Sequence, residues 1–315
     1  MSLSAKVDLV GVGLNANDTL IHLPQVPLRG AKVEFDSETI MPGGQVASTV
    51  VACQMWGLST RYVGKLGNDD AARLHEREFA RLGVDARLVY AADAARPKSI
   101  IMVDHGGERT VMNKRDARVS LQPQDLEREW IVNARVLHID GFDTAAATQA
   151  AKWAKEAGVL VTADLDDLYE DIEELVKNID YLIVNSSFAS RLMRDDDVRS
   201  ALKKMQSKYG CALAASTLGP DGVVAYDGKE FLHRPAFDVK VADTTGAGDI
   251  FRSGFIYALL QGWPLEEQLD FASAAGGTNC TGHGARGCID PVAQLREMMR
   301  RGARYTVPDE FAVAG

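Results

Sequence analysis

The spacing of hydrophobic residues predicts where strands and helices lie along this chain. Apolar runs at residues 7–13 and 60–63 predict buried strands. From residue 135 onwards, apolar runs of strand length alternate with amphipathic stretches of helix length. The predicted strands there are 136–139, 159–163, 181–184, 213–217 and 223–226, and the predicted helices are 144–156, 188–193 and 198–209. This alternation is typical of an α/β fold with three layers, a doubly wound, mostly parallel sheet covered by helices on both faces.

Helical periodicity is also found outside this region. A helix is predicted to begin after Gly43-Gly44 and to end at Gly57, and a charged amphipathic helix is predicted over residues 70–82. The last third of the chain is mostly helical by the same criterion. Its predicted helices are 249–261, 265–281 and 291–302.

Two β-rich segments, residues 15–45 and 97–115, interrupt the α/β pattern. In the first, residues 19–23 and 32–35 alternate like strands, and in the second, residues 99–104 and 109–113 predict a hairpin. We predict that the two segments pair as a small β sheet, a lid that excludes water from a site at the sheet edge. The predicted organisation is an α/β domain of residues 1–14, 46–96 and 116–315, with a β lid of residues 15–45 and 97–115.

Charge and cysteine content narrow the class of protein. The 315 residues carry a formal net charge of −9, whereas nucleic-acid binders usually carry a basic excess, so no nucleic-acid partner is expected. The four cysteines are scattered and form no Cys-x-x-Cys pair, which argues against a zinc site or a disulfide framework. The first apolar run is too short for a signal peptide and no run is long enough for a membrane span. We therefore expect no membrane partner and a cytoplasmic location.

The candidate chemistry lies at residues 243–249, Asp-Thr-Thr-Gly-Ala-Gly-Asp. A strand-like stretch at 236–242 leads into this turn and a helical pattern follows it. The backbone N–H groups of Gly246, Ala247 and Gly248, together with the positive end of the helix dipole, form a possible anion site. A carboxylate there, Asp249, suits a base that takes a proton from a hydroxyl. A short Gly-x-Gly-Asp turn alone is also common at ordinary helix starts.

The longer seven-residue string resembles the signature of the ribokinase-like (PfkB) carbohydrate kinases. The resemblance implies a ribokinase-type fold with a small β lid, and transfer of the γ-phosphoryl group of ATP to a hydroxyl of a sugar-like substrate, assisted by Mg²⁺. It assigns Asp249 as general base and the backbone of residues 246–249 as the anion hole.

The resemblance also suggests residues for the substrate. Asp18 follows the first strand, where the family has an Asp that binds substrate hydroxyls; alone it also suits a turn. Residues 43–48 resemble a substrate motif of the family, but Gln45 and Ser48 stand where Asn or Lys and then Asn are frequent. For Asp140, substrate contact and buried structural pairing stay equally open, and Arg115 is either a solvated residue or an anion ligand. The predicted substrate residues are Asp18, Gly43, Gly44, Gln45, Ser48, Asp140 and Arg115.

The nucleotide side is predicted from three further motifs. Residues 217–222 resemble the Thr-Leu-Gly-x-x-Gly segment of the family, residues 271–277 its adenine-side helix, and Asn185 the Asn of its Asn-x-x-Glu motif. The Glu position is Phe188, so metal handling is expected to differ. The predicted nucleotide-binding residues are Asn185, Thr217, Gly219, Gly222, Ser273 and Gly276. Asp243 and Thr245, with carbonyls of 280–287, occupy positions where relatives bind a monovalent cation such as K⁺.

Several functions stay open at this point. The main interpretation is an ATP-dependent kinase of a small sugar. A nucleoside kinase would need an apolar base pocket, whereas a sugar-acid or phosphosugar kinase would use Lys114, Arg115 or Arg252 against a substrate anion. A non-catalytic sugar or nucleotide sensor is suggested only by Phe188. Exposed lid strands also allow a homodimer through the lid.

Overall fold

The computed structural model describes residues 6–67, 72–94 and 97–306. Its strands are β1 (Val7–Val12), β2 (Ala16–His22), β3 (Ser37–Gly43), β4 (Thr60–Gly67), β5 (Asp85–Ala91), β6 (Lys98–Val103), β7 (Arg109–Lys114), β8 (Ala134–Asp140), β9 (Leu160–Leu165), β10 (Tyr181–Asn185), β11 (Leu213–Thr217), β12 (Val223–Tyr226) and β13 (Phe231–Arg234). Its α-helices are α1 (Gln45–Met55), α2 (Ala72–Leu82), α3 (Arg128–Val132), α4 (Thr144–Glu156), α5 (Ile172–Val176), α6 (Ser186–Met193), α7 (Val198–Tyr209), α8 (Ala247–Leu260), α9 (Leu265–Asn279) and α10 (Val292–Arg301). Within the described ranges, no helix is long and apolar enough to cross a membrane.

Nine strands form the large sheet, in the order β13-β12-β11-β10-β9-β8-β1-β4-β5. The pairs from β11 across to β5 are parallel, and only β12 and β13 are attached in antiparallel pairs. Parallel neighbours need crossover connections, and the helices between the strands supply them. The predicted fold class, a three-layer α/β fold with a mostly parallel sheet and a smaller β sheet, is confirmed.

Helices cover both faces of the large sheet because successive strand residues point to opposite sides. Leu9 and Val136 pack on one face with α1 and α8, whereas Val10 and Leu137 pack on the other with α4 and α7. The four side chains are fully buried or nearly so. The carboxyl ends of the parallel strands are thereby left as the edge where polar side chains can gather.

The four remaining strands form the small sheet, in the order β3-β2-β6-β7. β2 pairs with β6 in parallel, and the hairpin partners β3 and β7 are antiparallel on the outside. Leu20, Ile101 and Val103 form its own small core. The β6–β7 turn touches the main domain, since Thr244 Oγ1 donates a hydrogen bond to the carbonyl of Gly107 at 3.3 Å. The strands lie within the two β-rich segments, while the lid role and the domain division stay predictions.

Two predicted strands are wrong. Residues 236–242 form an extended segment with a single bridge, between Phe237 and Arg304, rather than a strand of the sheet. This segment is apolar because Ala236, Phe237, Val239 and Val241 line a cavity. Residues 32–35 are also not a strand: Val33 and Phe35 are 46% and 53% exposed, and the strand lies further on, at β3.

The sequence pattern also missed two strands of the large sheet. β5 pairs only with β4 at one edge, and β13 pairs only with β12 at the other. Both strands are mostly half-buried, and their composition is mixed, so neither produced a clear period. The first two residues of the helix predicted at 70–82 lie outside the described residues; α2 accounts for the rest.

Candidate active site

The turn that precedes α8 requires glycine at position 246. Gly246 has φ 75°, in the left-handed region, and a Cβ atom built there would lie 2.2 Å from the carbonyl oxygen of Ala285. The N–H of Ala247 donates to the carbonyl of Thr244 at 3.3 Å. The N–H groups of Gly248 and Asp249 belong to the first helical turn, whose donors have no acceptor inside the helix. The helix start therefore presents N–H donors beside a carboxylate.

Two side-chain hydrogen bonds to its backbone carbonyl fix the position of Asp249. Its carbonyl oxygen accepts hydrogen bonds from Ser253 Oγ at 2.7 Å and from Thr49 Oγ1 at 3.3 Å. Burial raises the pKa of the Asp249 carboxyl, while the Arg252 guanidinium and a hydrogen bond with Asp164 act in the opposite direction. The carboxylate is thus a stronger base than one in water.

Arg252 forms a buried ion pair behind Asp249. Its Nη2 lies 3.1 Å from Asp164 Oδ1, and its Nε donates to the carbonyl of Ile183 at 2.9 Å. Both charged side chains are about 5% exposed. Burial raises the pKa of Asp164 well above its usual range, although Arg252 opposes this. We call residues 246–249, Asp164 and Arg252 the α8 cluster.

The α8 cluster opens into a cavity of about 410 Å³, here called the main cavity. Besides Asp249, its lining includes Gln45, Arg109, Asp164, Asp166, Asn185, Thr244, Gly246, Ala247, Gly248 and Arg252. It also includes Thr217, Gly219, Pro220, Gly222, Ala236, Phe237, Val239, Val241, Phe251, Ser273, Gly276, Gly277, Cys280 and Tyr305. Charged side chains therefore share the cavity with apolar side chains and glycine backbone.

A second polar group lies where the small sheet meets α1. Asp18 on β2 is 4% exposed, and Gly43 lies against it: a Cβ atom at position 43 would be 1.9 Å from Asp18 Oδ2. Burial raises the pKa of Asp18 to about 6, a hydrogen bond from Ser99 lowers it, and the charge of Asp249 raises it further. This last effect requires that the two carboxyls lie near each other.

Arg286 joins this second group together. Its Nε donates to Ser48 Oγ at 3.2 Å, its Nη2 lies 3.4 Å from the carbonyl oxygen of Gly43, and it forms an ion pair with Glu78. Its side chain is 8% exposed. We call Asp18, Gly43, Ser48, Glu78 and Arg286 the Arg286 cluster.

The family model of the pfkB carbohydrate kinases matches residues 4–292, nearly the whole chain. The chain belongs to the pfkB family. The family and the enzyme class predicted from the sequence, an ATP-dependent carbohydrate kinase, are thereby confirmed. Which sugar is phosphorylated is not given by family membership.

Curated relatives of this pfkB kinase differ in the substrate that their names state. An ATP-dependent ribose-1-phosphate kinase from Halopiger xanaduensis is 27% identical over 85% of this chain and 90% of its own. A 5-dehydro-2-deoxygluconokinase from Clostridium perfringens is 25% identical over 94% of both chains.

Solved structures support the fold. An adenosine kinase from Sinorhizobium meliloti superposes with a TM-score of 0.82 at 24% identity, over 94% of this chain and 99% of its own. The ribokinase from Thermotoga maritima gives a TM-score of 0.80 at 23% identity, over 94% of this chain and 100% of its own.

Most of the predicted catalytic and nucleotide-side residues of the kinase lie around the main cavity. The predicted residues that line it are Gln45, Asn185, Thr217, Gly219, Gly222, Gly246, Ala247, Gly248, Asp249, Ser273 and Gly276. Ser273 stands out, because its Oγ is buried and has no hydrogen-bond partner within the described residues. Asp18, Gly43 and Ser48 lie in the Arg286 cluster instead.

Other predicted substrate residues of the kinase have structural partners. Asp140 is 1% exposed and accepts hydrogen bonds from the N–H groups of Leu14 at 2.7 Å and Phe142 at 3.0 Å. Burial raises the pKa of Asp140 to about 7. Arg115 pairs with Asp143 and lies 4.1 Å from the centre of the Phe142 ring. Neither residue lines the main cavity.

Gly44 and Asn185 are the N-cap residues of two helices. Gly44, with φ 93°, precedes α1, and a Cβ atom there would lie 2.6 Å from the backbone of Leu14. Asn185 caps α6 through its side-chain oxygen, which accepts from the N–H of Phe188 at 2.7 Å. The Phe188 side chain is fully buried in the core and does not replace the missing Glu as a ligand.

Asp243 and Thr245, predicted near a monovalent cation, are both buried. The Asp243 carboxylate accepts hydrogen bonds from the N–H groups of Thr245 at 2.8 Å and Gly284 at 2.7 Å. Asn279 Nδ2 donates to the carbonyl of Thr245 at 2.9 Å, whereas the Thr245 Oγ1 atom has no partner among the residues described.

The sequence reasoning missed four charged residues that lie in or beside these two clusters. Asp164 and Asp166 come at the carboxyl end of β9, and such strand-end carboxylates are a usable signal in a parallel sheet. Arg109 begins β7 and lines the main cavity from the small sheet. Arg286 lies in a glycine-rich loop, and no local pattern indicates that it reaches Ser48.

Proposed function

We propose that this kinase transfers the γ-phosphoryl group of ATP to a hydroxyl of a small polyhydroxylated substrate, with Asp249 as general base. The observation that carries the proposal is the position of Asp249 in the first turn of α8, where it lines the main cavity together with charged residues and the nucleotide-side segments. The charge of Asp249 also acts on the Asp18 carboxyl, which supports a position of the Arg286 cluster close to this cavity.

In this proposal the carboxyl pair divides the work. Asp164 is held by Arg252 in the buried ion pair, and burial raises the pKa of both carboxyls. Asp249 stays ionised and accepts the proton of the substrate hydroxyl as that oxygen attacks phosphorus. Arg252 balances the charge of the pair and holds it in place.

The N–H groups at the start of α8 supply the anion hole. As the phosphoryl group is transferred, negative charge on its oxygens is stabilised by the donors of Gly248 and Asp249 and by the helix dipole. Because Gly246 is fixed against Ala285, these donors are in position before the reaction begins. Positioning and charge stabilisation are the main contributions expected in phosphoryl transfer.

The residues around the main cavity fit ATP and Mg²⁺. The unpartnered Ser273 Oγ offers a hydrogen bond to the nucleotide, near Thr217, Gly219 and Gly222. Asp166 and Asn185, which line the same cavity as Asp249, would supply the oxygen atoms that Mg²⁺ prefers. When bound, Mg²⁺ neutralises the charge of the phosphates. A monovalent cation beside Asp243 would find the free Thr245 Oγ1 atom, which is the support for K⁺.

The small sheet is proposed to act as a lid. It carries Asp18 for the substrate and Arg109 for the main cavity, and its β6–β7 turn already touches Thr244. Substrate hydroxyls would bind Asp18, with Gly43, Gln45 and Ser48 around them.

The edge strands of the small sheet also expose Ile40, Val111 and Met112, at 55%, 41% and 49%, which suits a homodimer through this sheet. A monomer in light scattering at micromolar concentration would exclude that dimer.

A second candidate, a phosphosugar or sugar-acid kinase, is favoured by two arginines. Arg109 lines the main cavity, and Arg286 keeps free N–H donors beyond its bonds to Ser48, Gly43 and Glu78. Both lower the pKa of Asp18, so both lie near it. Two guanidinium groups beside a sugar-binding carboxylate are suited to a substrate anion.

The test is a screen for substrate-dependent ADP release over pentoses, ketohexoses, sugar acids, phosphosugars and nucleosides. The proposal expects release with at least one sugar-like substrate, and the second candidate expects preference for an anionic one over its neutral parent. Preference for a nucleoside would replace the sugar assignment while keeping the mechanism. No release above the substrate-free rate with any compound would favour a non-catalytic sensor.

A further inference from the structure

Three metal-ligating side chains converge outside the main cavity. His22 ends β2 of the small sheet, Asp243 precedes the turn of the α8 cluster, and His283 lies in the loop after α9. One ligand atom from each residue lies within 4.8 Å of the other two. His22 Nε2 and His283 Nδ1 are 3.0 Å apart. None of the three lines the main cavity.

Neighbouring groups orient two of the three ligands, Asp243 and His22. Asp243 is fully buried, and its carboxylate is oriented by the N–H groups of Thr245 and Gly284. His22 Nδ1 lies 3.2 Å from Ser37 Oγ. If that nitrogen donates to Ser37, Nε2 carries the lone pair, which is the tautomer that a metal needs. A carboxylate has lone pairs left after accepting two hydrogen bonds.

The distance between the two imidazole nitrogens suits binding of one metal ion by both, as well as a direct hydrogen bond between them. Two ligands at the usual Zn–N distance in a tetrahedral site are about 3.3 Å apart. The observed separation of 3.0 Å needs only a small adjustment, and the two rings are already at 76° to each other. His283 is exposed, so solvent can reach the site and complete the coordination.

We propose that His22, Asp243 and His283 bind a divalent late transition metal such as Zn²⁺ or Co²⁺. Two imidazoles and one carboxylate match these ions, whereas Mg²⁺ and alkali ions prefer oxygen ligands. The site shares the Asp243 carboxylate with the proposed K⁺ site, so the two ions would compete for it. Because the ligands come from β2, the segment before α8 and the loop after α9, the ion would clamp the small sheet to the main domain.

The test uses the full chain without a polyhistidine tag, stripped of metal by a chelator. Titration with Co²⁺ should give visible d–d absorption typical of low coordination number, with one ion per chain, and Zn²⁺ should displace it. His22→Ala and His283→Ala should each raise the dissociation constant for Zn²⁺ at least about tenfold. His105→Ala, an exposed histidine on the β6–β7 turn, is the matched control and should leave binding unchanged.

Thermal unfolding gives an independent measurement. Zn²⁺ should raise the melting temperature of the wild-type chain and of His105→Ala, but not that of the His22→Ala/His283→Ala double variant. The proposal is overturned if the wild type binds neither ion, or if the double variant binds them as tightly as the wild type. Either result leaves the kinase proposal intact, because neither His22 nor His283 takes part in the proposed phosphoryl transfer.

Discussion

The α8 cluster and the Arg286 cluster are built in opposite ways. The turn and the proposed base occupy four consecutive residues, 246–249, and their geometry follows from one glycine and one helix start. The Arg286 cluster brings together residues from distant segments, since Ser48 and Arg286 are 238 positions apart. In the proposed mechanism, the difference means that phosphoryl-transfer chemistry is encoded locally, whereas substrate binding depends on how distant segments meet. Four predictions test this contrast.

The largest effect is expected from Asp249→Asn. The amide cannot accept the proton of the hydroxyl, so kcat should fall about 10²- to 10⁴-fold for every substrate, with KM little changed. Steady-state kinetics of ADP release measures both constants. Asp238→Asn, at an exposed position before α8, is the matched control. Turnover within a few-fold of wild type would remove Asp249 from the role of base.

Gly246→Ala tests whether the backbone turn before α8 is rigid. The left-handed φ costs about 1–2 kcal/mol for a residue with a Cβ, and the contact with Ala285 adds about 1–3 kcal/mol of overpacking. Gly262→Ala is the matched control, because Gly262 has φ 71° with nothing within 4 Å of the built Cβ. Urea unfolding should therefore show a clearly larger loss of stability for Gly246→Ala. Equal losses would mean that Ala285 moves aside and the turn is not fixed.

Arg286→Lys should change substrate binding rather than chemistry. Lysine keeps the charge near Glu78 but loses the bonds to Ser48 and Gly43. KM for the sugar-like substrate should rise about tenfold, or 1.4 kcal/mol, and kcat and KM for ATP should change little. Arg128→Lys, in an exposed pair with Glu156, serves as control. A fall in kcat with unchanged KM would break the division between the two clusters.

The smallest effect is expected from pH. The pKa of Asp18 is raised to about 6, so its carboxylate is lost as the pH falls through 6, and kcat/KM should then be about half its plateau value. The raised pKa of Asp249 acts in the same direction, because its ionised form is the base. Asp18→Asn should remove the Asp18 inflection and lower the plateau. If its profile keeps the wild-type shape, the inflection belongs to Asp249.

The same contrast explains what the sequence could predict. The bounds of α4 and α7, and those of β11 and β12, are confirmed because each element has a clean period and a buried face. Residues 236–242 were misread because apolar residues that line a cavity have the same composition as a buried strand. Hydrophobicity reports burial, but not what the residue is buried against.

The candidate active site was likewise predictable only where its residues are adjacent in sequence. The 246–249 turn was readable because its donors and its carboxylate are adjacent in sequence. Arg286 was not, because its role depends on the path of a loop that carries it to Ser48 and Glu78. The buried pair of Asp164 and Arg252 depends likewise on the crossover that sets β9 beside α8. Such pairings are set by tertiary structure and leave no local pattern.

The parallel pairing of β2 with β6 has a consequence for how such enzymes diversify. The small sheet is encoded in two separate stretches of the gene, with α1, β4, α2 and β5 of the main domain between them. A single crossover between homologous genes within that interval would join half of one sheet to half of another and mismatch the core of Leu20, Ile101 and Val103. Exchange of one stretch alone would therefore disturb this core, whereas exchange of both stretches together would keep it intact.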